Sequence, residues 1–518
     1  MPAGSASTSK GNDVYKTLAN NTNACWWKDP GLRRLNIGII LTFASATANG
    51  FDGSLMNGLL AIPAFKIDIV NQVSTNVLGL IIAAISLGGL PALIPAGYVS
   101  DHFGRKKCIG LGTFIMVVCA LTQALTNGPW AFLGMKVALG VGIAFVLIGA
   151  PPLATEIAHP RMRGQVSATF QTTFYWGAIV SATATLIGLY VRGSWAWRMP
   201  VILQVFFPVL QIIGLWIVPE SPRWLVANNR LDDALAMLSR YHANGDTSDA
   251  LVQYEFKEIQ EVVRAELATK TSSSWADFLS TSGNRRRLAI CIMVGFMIQW
   301  AGNGIVSYYL APILASVGVT NPMQQASINL GLQIWNAGFA LAGAFASERY
   351  GRRPLWLTSA IGMLVCFILI TLLAALYDEH HNTHAGTAVI PFLFFFFAFY
   401  DIGFTPMSLS YPVEILPYKL RSRGLSITLT TVFATGFFNQ YVNPVALESL
   451  RWRFYFVYVA CLVLFICVIY FLFPETKGRT LEEIAVVFDG PGVGSQVQRR
   501  VSVSGTQEEE MDRLPHAA

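Results

Sequence analysis

Charged residues are scarce in this chain. Only 13% of its 518 residues are Asp, Glu, Lys or Arg, whereas 53% are apolar, and an ordinary soluble protein carries about 25% charged residues. So few charges cannot form a water-soluble surface around a chain of this length, which excludes a large soluble enzyme. The net charge is only +6, so we expect the cations to set orientation in a lipid bilayer and not to bind nucleic acid.

The sequence also lacks cysteine motifs and a signal peptide. Its seven cysteines are scattered and form no CxxC pair, so neither a disulfide framework nor a metal site is implied. The segment from Met1 to Arg34 is polar and contains no apolar run, so it is not a cleaved signal peptide. No loop combines a nucleophile, a base and an orienting group, which argues against an enzyme, and no cofactor is expected.

Long apolar segments, in contrast, are abundant. A membrane span needs about 20 mostly apolar residues, and twelve segments of this kind can be placed along the chain. The sequence therefore predicts an all-α polytopic membrane protein. The predicted spans lie near residues 36–59, 77–99, 108–126, 130–151, 166–190, 200–218, 288–311, 326–346, 355–377, 388–411, 425–446 and 453–473.

A polar stretch separates the first six predicted spans from the last six. Its helical patterns indicate a solvated linker domain. With both termini placed inside, the inner short loops hold eleven Lys and Arg residues and the outer short loops five, as the positive-inside rule requires. The predicted divisions are an N-terminal cytoplasmic tail (1–34), a first bundle (35–218), a cytoplasmic helical linker (219–287), a second bundle (288–473) and a C-terminal cytoplasmic tail (474–518).

Three short charged motifs occur once in each half, always on the predicted inner side. Their offsets of about 247, 258 and 255 residues correspond to one six-helix repeat, as expected for a carrier built from two similar bundles. Asp101 to Arg105 recurs as Glu348 to Arg352, Glu156 with Arg163 recurs as Glu414 with Arg421, and Pro219-Glu220 recurs as Pro474-Glu475.

With these motifs, the chain resembles the sugar porter family of the major facilitator superfamily from about Leu35 to Phe488. The resemblance implies the major facilitator fold, with 12 transmembrane helices in two six-helix bundles. Two further segments look most like fungal lactose permeases and cellodextrin transporters. These segments are Gln299-Trp-Ala-Gly-Asn303 with Tyr308-Tyr309, and Phe404-Thr-Pro406 through Tyr411 to Pro417.

Asp52 and Lys136 are the clearest charged residues inside predicted spans, where charge is costly and marks a candidate functional site. Both lie at a similar depth in the outer half of the membrane, where they can pair. The family resemblance implies a proton-coupling role, although the family usually has Arg at the Lys136 position. The alternative is a static buried pair that only fixes helix packing.

Saccharide recognition needs groups that donate and accept hydrogen bonds to hydroxyls. The family's positions match Gln171, Gln299, Asn303 and Asn336, which could instead be interhelical hydrogen-bond partners. Monosaccharide carriers have their Asn one residue later, at Gly304, and the family's second Gln and its tenth-span Trp correspond to Ile298 and Leu409. These departures argue against a simple glucose site and suit a different or larger saccharide.

The repeated charged residues resemble the family's cytoplasmic salt-bridge network. Ion pairs at an interface between bundles can hold one alternating-access state closed and break in the other. The resemblance therefore implies a gating role and not a chemical one. The candidate gating residues are Asp101, Arg105, Glu156, Arg163, Glu220, Glu348, Arg352, Glu414, Arg421 and Glu475.

The sequence thus predicts a proton-coupled saccharide symporter of the plasma membrane that works by alternating access. Its expected partners are a small sugar, a proton and the lipid bilayer, and it is expected to act as a monomer. A disaccharide such as lactose or cellobiose is the first substrate hypothesis. The same fold hosts many solutes, so carriers of a monosaccharide, polyol or other metabolite remain alternatives, as does a non-transporting sugar sensor.

Overall fold

The computed structural model describes residues 15, 17–23, 25–272, 274–477 and 481–489. Within these ranges the structure does not describe the side chains of residues 164, 167, 168, 171, 265–272, 348, 418, 419, 422, 481–483 and 485. All regular structure in the described part is helical. This follows from the sequence, because an apolar segment in lipid must satisfy its backbone hydrogen bonds internally.

The first half contains six spans, two of them interrupted. The first span breaks at Phe43, and the sixth breaks at Gln204 and Val205. The spans are Pro30–Thr42 with Ala44–Leu59, Thr75–Phe103, Arg105–Leu125, Pro129–Ile157, Arg163–Gly188, and Trp195–Leu203 with Phe206–Ile217, and the short helix Pro63–Asp68 follows the first of them.

The second half repeats this arrangement after a helical linker. The linker helices are Pro222–Ala227, Leu231–His242, Ala250–Ser272 and Asp277–Ser280. The spans of the second half are Ser282–Trp300 with Asn303–Ser316, Pro322–Tyr350, Arg352–His380, Thr383–Met407 with Ser410–Ile415, Tyr418–Leu450, and Tyr455–Leu472, and Leu481–Asp489 is a short helix after the last span.

Each predicted span coincides with one of these helices, but several helices are longer than predicted. The helix of the first span begins at Pro30 and not near residue 36, and the seventh begins at Ser282 and not at 288. The predicted boundaries at 34/35 and 287/288 therefore fall inside helices. Hydropathy marks only the part of a helix that lies in lipid, whereas these helices continue into their charged ends. The segment after the last span also contains a docked helix, since Asp489 pairs with Arg287 at 2.8 Å.

Hydropathy alone identifies fewer spans than the fold contains. In the described residues, eight stretches are long and apolar enough to cross a membrane, or nine if the bent pair Pro30–Leu59 and Pro63–Gln72 is counted. One stretch, Arg423–Leu472, includes both of the last two spans. The fifth and eighth spans are not among these stretches. The eighth span carries a buried polar face made of Gln325, Asn329, Gln333 and Asn336, and such a face lowers the mean hydropathy of a helix that packs inside the protein.

The linker packs at one end of the spans, and the two halves contact each other near the opposite end. At the linker end, Trp224 of the linker donates its indole N–H to the carbonyl of Asp101. Near the opposite end, here called the far end, the halves are hydrogen-bonded to each other, because Asn57 of the first span donates to Asn329 of the eighth at 3.0 Å. Asn57 also accepts from the backbone N–H of Leu310 at 3.1 Å. The halves are thus joined near the far end by a buried polar contact.

Candidate transport site

Asp52 and Lys136 lie in the same half of the protein, on the first and fourth spans. Each is only 3% exposed, and each lies within electrostatic range of the other. The predicted ion pair is not formed, however, because neither carboxylate oxygen nor the Lys136 Nζ has a hydrogen-bond partner in the described part of the chain. Gln204, at the break in the sixth span, also faces Asp52. Asp52 and Lys136 are therefore buried near each other without a direct hydrogen bond between them.

The seventh span breaks at Ala301 and Gly302, between two of the predicted saccharide residues. Gly302 has φ of 106°, a left-handed conformation that glycine adopts without steric cost. A Cβ there would also lie 2.5 Å from the Phe367 ring. The break starts a new helix at Asn303, whose amide donates to the Tyr400 hydroxyl at 3.1 Å. Interrupted helices of this kind commonly form the binding sites of carriers.

Gln299 lies where spans from both halves meet. Its side chain lies beside Gly436 of the eleventh span. A Cβ added to Gly436 would be 3.1 Å from the Gln299 Nε2 and 3.5 Å from the Ser86 hydroxyl of the second span. The Ser86 hydroxyl donates to Gln440 Oε1 at 3.4 Å. Amide and hydroxyl groups of Gln299, Ser86 and Gln440 thus converge between the two halves, and we call these three residues the midplane cluster.

Of the predicted saccharide residues whose side chains the structure describes, only Gln299 belongs to this cluster. Asn336 is 3% exposed on the eighth span, and its carbonyl oxygen has no partner in the described part of the chain. The Gln171 side chain lies outside the described residues. Sequence reasoning did not identify Ser86 or Gln440. The available signal was their polarity within apolar spans, which marks candidate functional positions.

The repeated charged motifs form the same three-dimensional arrangement at the linker end of each half. Gly104 and Gly351, with φ of 102° and 96°, precede the third and ninth spans. Glu220 accepts hydrogen bonds from the backbone N–H groups that begin the third span, and Glu475 does the same at the ninth. A carboxylate is favourable at this position because a helix N-terminus carries partial positive charge.

A second carboxylate in each half joins the arginine of this motif. Arg352 binds Glu414 through Nε at 3.2 Å and Nη2 at 2.9 Å. Glu414 also accepts from the Thr476 hydroxyl at 2.6 Å. In the first half, Arg105 binds Asp101 at 3.0 Å and approaches Glu156 at 3.9 Å, and Glu156 accepts from the Ser221 hydroxyl.

The described ion pairs of the repeated motif join residues of one half. A gating role for these residues between the two bundles stays a prediction. Arg163 binds Glu255 of the linker. Asp101 and Arg421 each make a further interaction, and the Glu348 side chain lies outside the described residues.

Comparison with known proteins shows what this architecture belongs to. The family model described as "Sugar (and other) transporter" matches residues 37–488. The chain belongs to this sugar transporter family.

Relatives and solved structures agree with that assignment. The chain is 30% identical over 449 residues to the MFS-type transporter oryC of Aspergillus oryzae, covering 84% of this chain and 82% of the relative. It is 27% identical to the MFS glucose transporter mfs1 of Aspergillus flavus, covering 85% and 87%. The inward-open xylose transporter XylE from E. coli shares the fold, with a TM-score of 0.72 and 19% identity over 87% of this chain and 99% of that one.

The family membership confirms several predictions. The chain is a multi-pass membrane protein with the major facilitator fold, its relatives are fungal transporters, and it is not an enzyme. The closer likeness to fungal lactose permeases and cellodextrin transporters stays a prediction.

The linker of this family member is attached through a buried cluster that sequence reasoning did not find. Glu255 of the linker is fully buried and binds Arg163 of the fifth span. His242 faces an acceptor with each ring nitrogen, since Nδ1 contacts Glu255 at 2.8 Å and Nε2 contacts the Ile157 carbonyl at 3.1 Å. The junction is therefore one buried carboxylate between Arg163 and His242, attached to the end of the fourth span.

The pKa values of Glu255 and His159 at this junction depend on burial and on the neighbouring side chains. Burial raises the pKa of Glu255, but His242 and Arg163 more than offset this, and the pKa lies below its usual range. His159 packs against His242 with ring centroids 5.1 Å apart. Burial, and then the neighbouring His242, lowers the pKa of His159 to about 3. His159 is therefore uncharged at neutral pH.

Replacing Arg352 by Ala is expected to slow the transport cycle while sugar binding stays nearly intact. The bidentate ion pair between Arg352 and Glu414 keeps the linker ends of the ninth and tenth spans together. A partly exposed pair of this kind contributes about 1 kcal/mol, which corresponds to about a fivefold effect on a rate. Turnover in reconstituted vesicles and sugar binding to purified protein measure the two effects separately. Arg230→Ala removes an ordinary exposed pair with Asp233 and is the matched control. Equal losses of binding and turnover in Arg352→Ala would contradict a gating role.

Proposed function

We propose that this chain is a proton-coupled saccharide symporter that works by alternating access. The observation that carries the proposal is the midplane cluster, in which amide and hydroxyl groups from both halves meet between the bundles. Such groups suit a polyhydroxylated ligand, because each hydroxyl of a sugar both donates and accepts. A site between the halves is also the site that alternating access exposes to each side in turn.

Proton coupling is assigned to Asp52, with Lys136 as its counter-charge. Both are buried without direct partners, and a charge in this condition is costly unless its surroundings change during function. A carboxylate near a movable cation can gain and lose a proton as the cation approaches and withdraws. Lys suits this role because its charge is a compact point on a flexible stem.

The first substrate hypothesis is a disaccharide such as lactose or cellobiose. It rests on the sequence features that depart from a simple glucose site, Gly304, Ile298 and Leu409. A monosaccharide is the second candidate, because several relatives are described as glucose transporters, among them the high-affinity glucose transporter of Kluyveromyces lactis at 25% identity. We place the protein in the plasma membrane as a monomer. The linker end and both termini face the cytoplasm, as the positive loops indicate.

Uptake of labelled sugars by transporter-deficient cells tests this proposal. The panel contains glucose, xylose, lactose and cellobiose, each with and without an uncoupler. We expect accumulation of a disaccharide against its gradient and its collapse on uncoupling. Uptake of glucose alone would select the second candidate. Accumulation that is insensitive to the uncoupler would reject proton coupling.

Replacing Gln299 or Gln440 by Ala is expected to raise the half-saturation concentration for the sugar. A lost hydrogen bond in a desolvated site costs about 1–3 kcal/mol, which corresponds to about 5- to 150-fold. The measurement is initial uptake rate against sugar concentration, with surface abundance determined in parallel.

Asn443→Ala is the matched control for the midplane cluster. Asn443 is fully buried on the eleventh span, but its hydrogen bonds go to Asn439 and Tyr458 within the second half. We expect lower abundance and an unchanged half-saturation concentration. Unchanged kinetics in both glutamine variants would move the saccharide site elsewhere.

A further inference from the structure

A second carboxyl lies inside the membrane, on the tenth span, and has no role in the account above. Asp401 is fully buried. The Tyr175 hydroxyl donates to its Oδ1, and the Thr405 hydroxyl donates to the same oxygen at 2.8 Å. Its Oδ2 has no hydrogen-bond partner among the described residues.

The described side chains around Asp401 include no positive charge. The titratable groups that face it are Tyr175 of the fifth span and Tyr400 beside it, and the Tyr400 hydroxyl is occupied by Asn303 and the Ile298 carbonyl. The eighth span approaches through Gly343, which has no side chain. In the described part of the chain, no Lys or Arg forms an ion pair with Asp401.

This arrangement fits a protonated acid better than an ionised one. An ionised carboxylate in a buried site without a cation is very costly, and both hydrogen-bond donors here serve one oxygen only. A proton on Oδ2 removes the net charge and leaves Oδ1 as the acceptor for Tyr175 and Thr405. Asp52 differs in this respect, because Lys136 lies within its electrostatic range.

The hydrogen bond from Tyr175 also joins the two halves. Tyr175 belongs to the first half and Asp401 to the second. The Asn57–Asn329 contact lies near the far end of the protein, whereas Tyr175 and Asp401 lie in the middle of their spans and closer to the linker end. Separation of the halves at the linker end would therefore break the Tyr175 bond and admit water to the carboxyl.

We propose that Asp401 is a second proton-carrying residue of the transport cycle. It holds a proton on Oδ2 while Tyr175 bonds it across the closed halves. It releases this proton to water when the halves separate at the linker end. This proposal rests on the proposed proton-coupled function and adds a carboxyl whose protonation depends directly on contact between the halves.

The ratio of protons to sugar, measured in liposomes, tests the proposal. The purified protein is reconstituted, and the ratio is obtained from the membrane potential and pH gradient that just balance a gradient of the sugar it transports best. Asp401→Asn reproduces the hydrogen bonds of the neutral acid but cannot release a proton. We expect a lower ratio than in the unchanged protein, with sugar counterflow retained.

Two further variants separate the contact between the halves from the loss of a hydrogen bond. Tyr175→Phe and Thr405→Val each remove one donor to the same Oδ1, but only Tyr175 lies on the other half. Tyr175→Phe is expected to lower the ratio, because protonation no longer depends on closure, and Thr405→Val is expected to leave it unchanged. If Asp401→Asn fails to fold, the comparison of Tyr175→Phe with Thr405→Val still tests the role of Asp401.

The outcomes distinguish failure of this proposal from failure of the proposed function. A ratio in Asp401→Asn equal to that of the unchanged protein overturns the role of Asp401 and leaves proton coupling through Asp52 intact. Equal ratios in Tyr175→Phe and the unchanged protein also overturn it. A ratio of zero in the unchanged protein overturns proton coupling itself, and the role of Asp401 with it.

Discussion

Asp52→Asn is expected to sharply lower proton-driven accumulation of sugar while leaving sugar binding and counterflow. The change is nearly isosteric and removes only the titratable charge. Both Asp52 oxygens lack hydrogen-bond partners among the described residues, so the substitution breaks no observed bond. Asparagine cannot carry a proton, so the sugar would be concentrated only as far as the proton on Asp401 allows.

Protein abundance must be measured in the same experiment. Lys136 loses its counter-charge in Asp52→Asn, and a buried charge left without its partner costs about 3–5 kcal/mol. The double variant Asp52→Asn with Lys136→Gln removes both charges and is expected to recover abundance without recovering accumulation. This separates a coupling defect from a folding defect.

Asp68→Asn is the matched control for this experiment. Asp68 follows the first span and accepts a hydrogen bond from the Trp197 indole at 2.8 Å, and an asparagine oxygen can accept the same bond. Accumulation is expected to be unchanged. If Asp52→Asn accumulates sugar to the same level as the unchanged protein and an uncoupler still abolishes this, the coupling carboxyl lies elsewhere, and Asp401 is the next candidate.

Glu255→Gln is expected to destabilise the junction between the linker and the first half by about 3–5 kcal/mol, the cost of breaking a buried ion pair by removing one partner. The substitution leaves Arg163 and His242 without the carboxylate that both contact. Proteolysis of the linker and thermal unfolding of the purified protein are the measurements. Glu261→Gln makes the same chemical change at an exposed position of the same helix, and we expect no effect. Equal stability of the two variants would show that the cluster does not hold the linker.

The same junction is expected to weaken as the pH falls. His159 has a pKa of about 3 in the folded protein, below the value near 6.5 of an unfolded histidine. The unfolded chain therefore binds more protons between these two values, and the stability of the folded state decreases as the pH falls through this range. The Glu255 contribution is present above its unfolded pKa and is lost below it, because its folded pKa is lowered.

Much of the site could be placed from sequence, but contacts between side chains could not. Asp52 and Lys136 were identified because a charge inside an apolar segment is conspicuous, and both are buried as expected. Asp401 has the same signal and was missed beside the recognised Phe404-Thr-Pro406 motif. The Arg105 and Arg352 motifs were recognised as a repeat, but the hydroxyl and backbone N–H groups that bind their glutamates were not foreseen.

The sequence by itself determined the class of protein, the approximate positions of its spans and its family. These properties depend on local signals, namely runs of apolar residues and short motifs repeated at one spacing. The tertiary structure alone decided which polar groups meet. Glu255 binds Arg163 across 92 residues of chain, and Tyr175 binds Asp401 across 226. No local pattern specifies such pairs, because they depend on how helices from distant parts of the chain pack and on which buried charge finds the nearest donor.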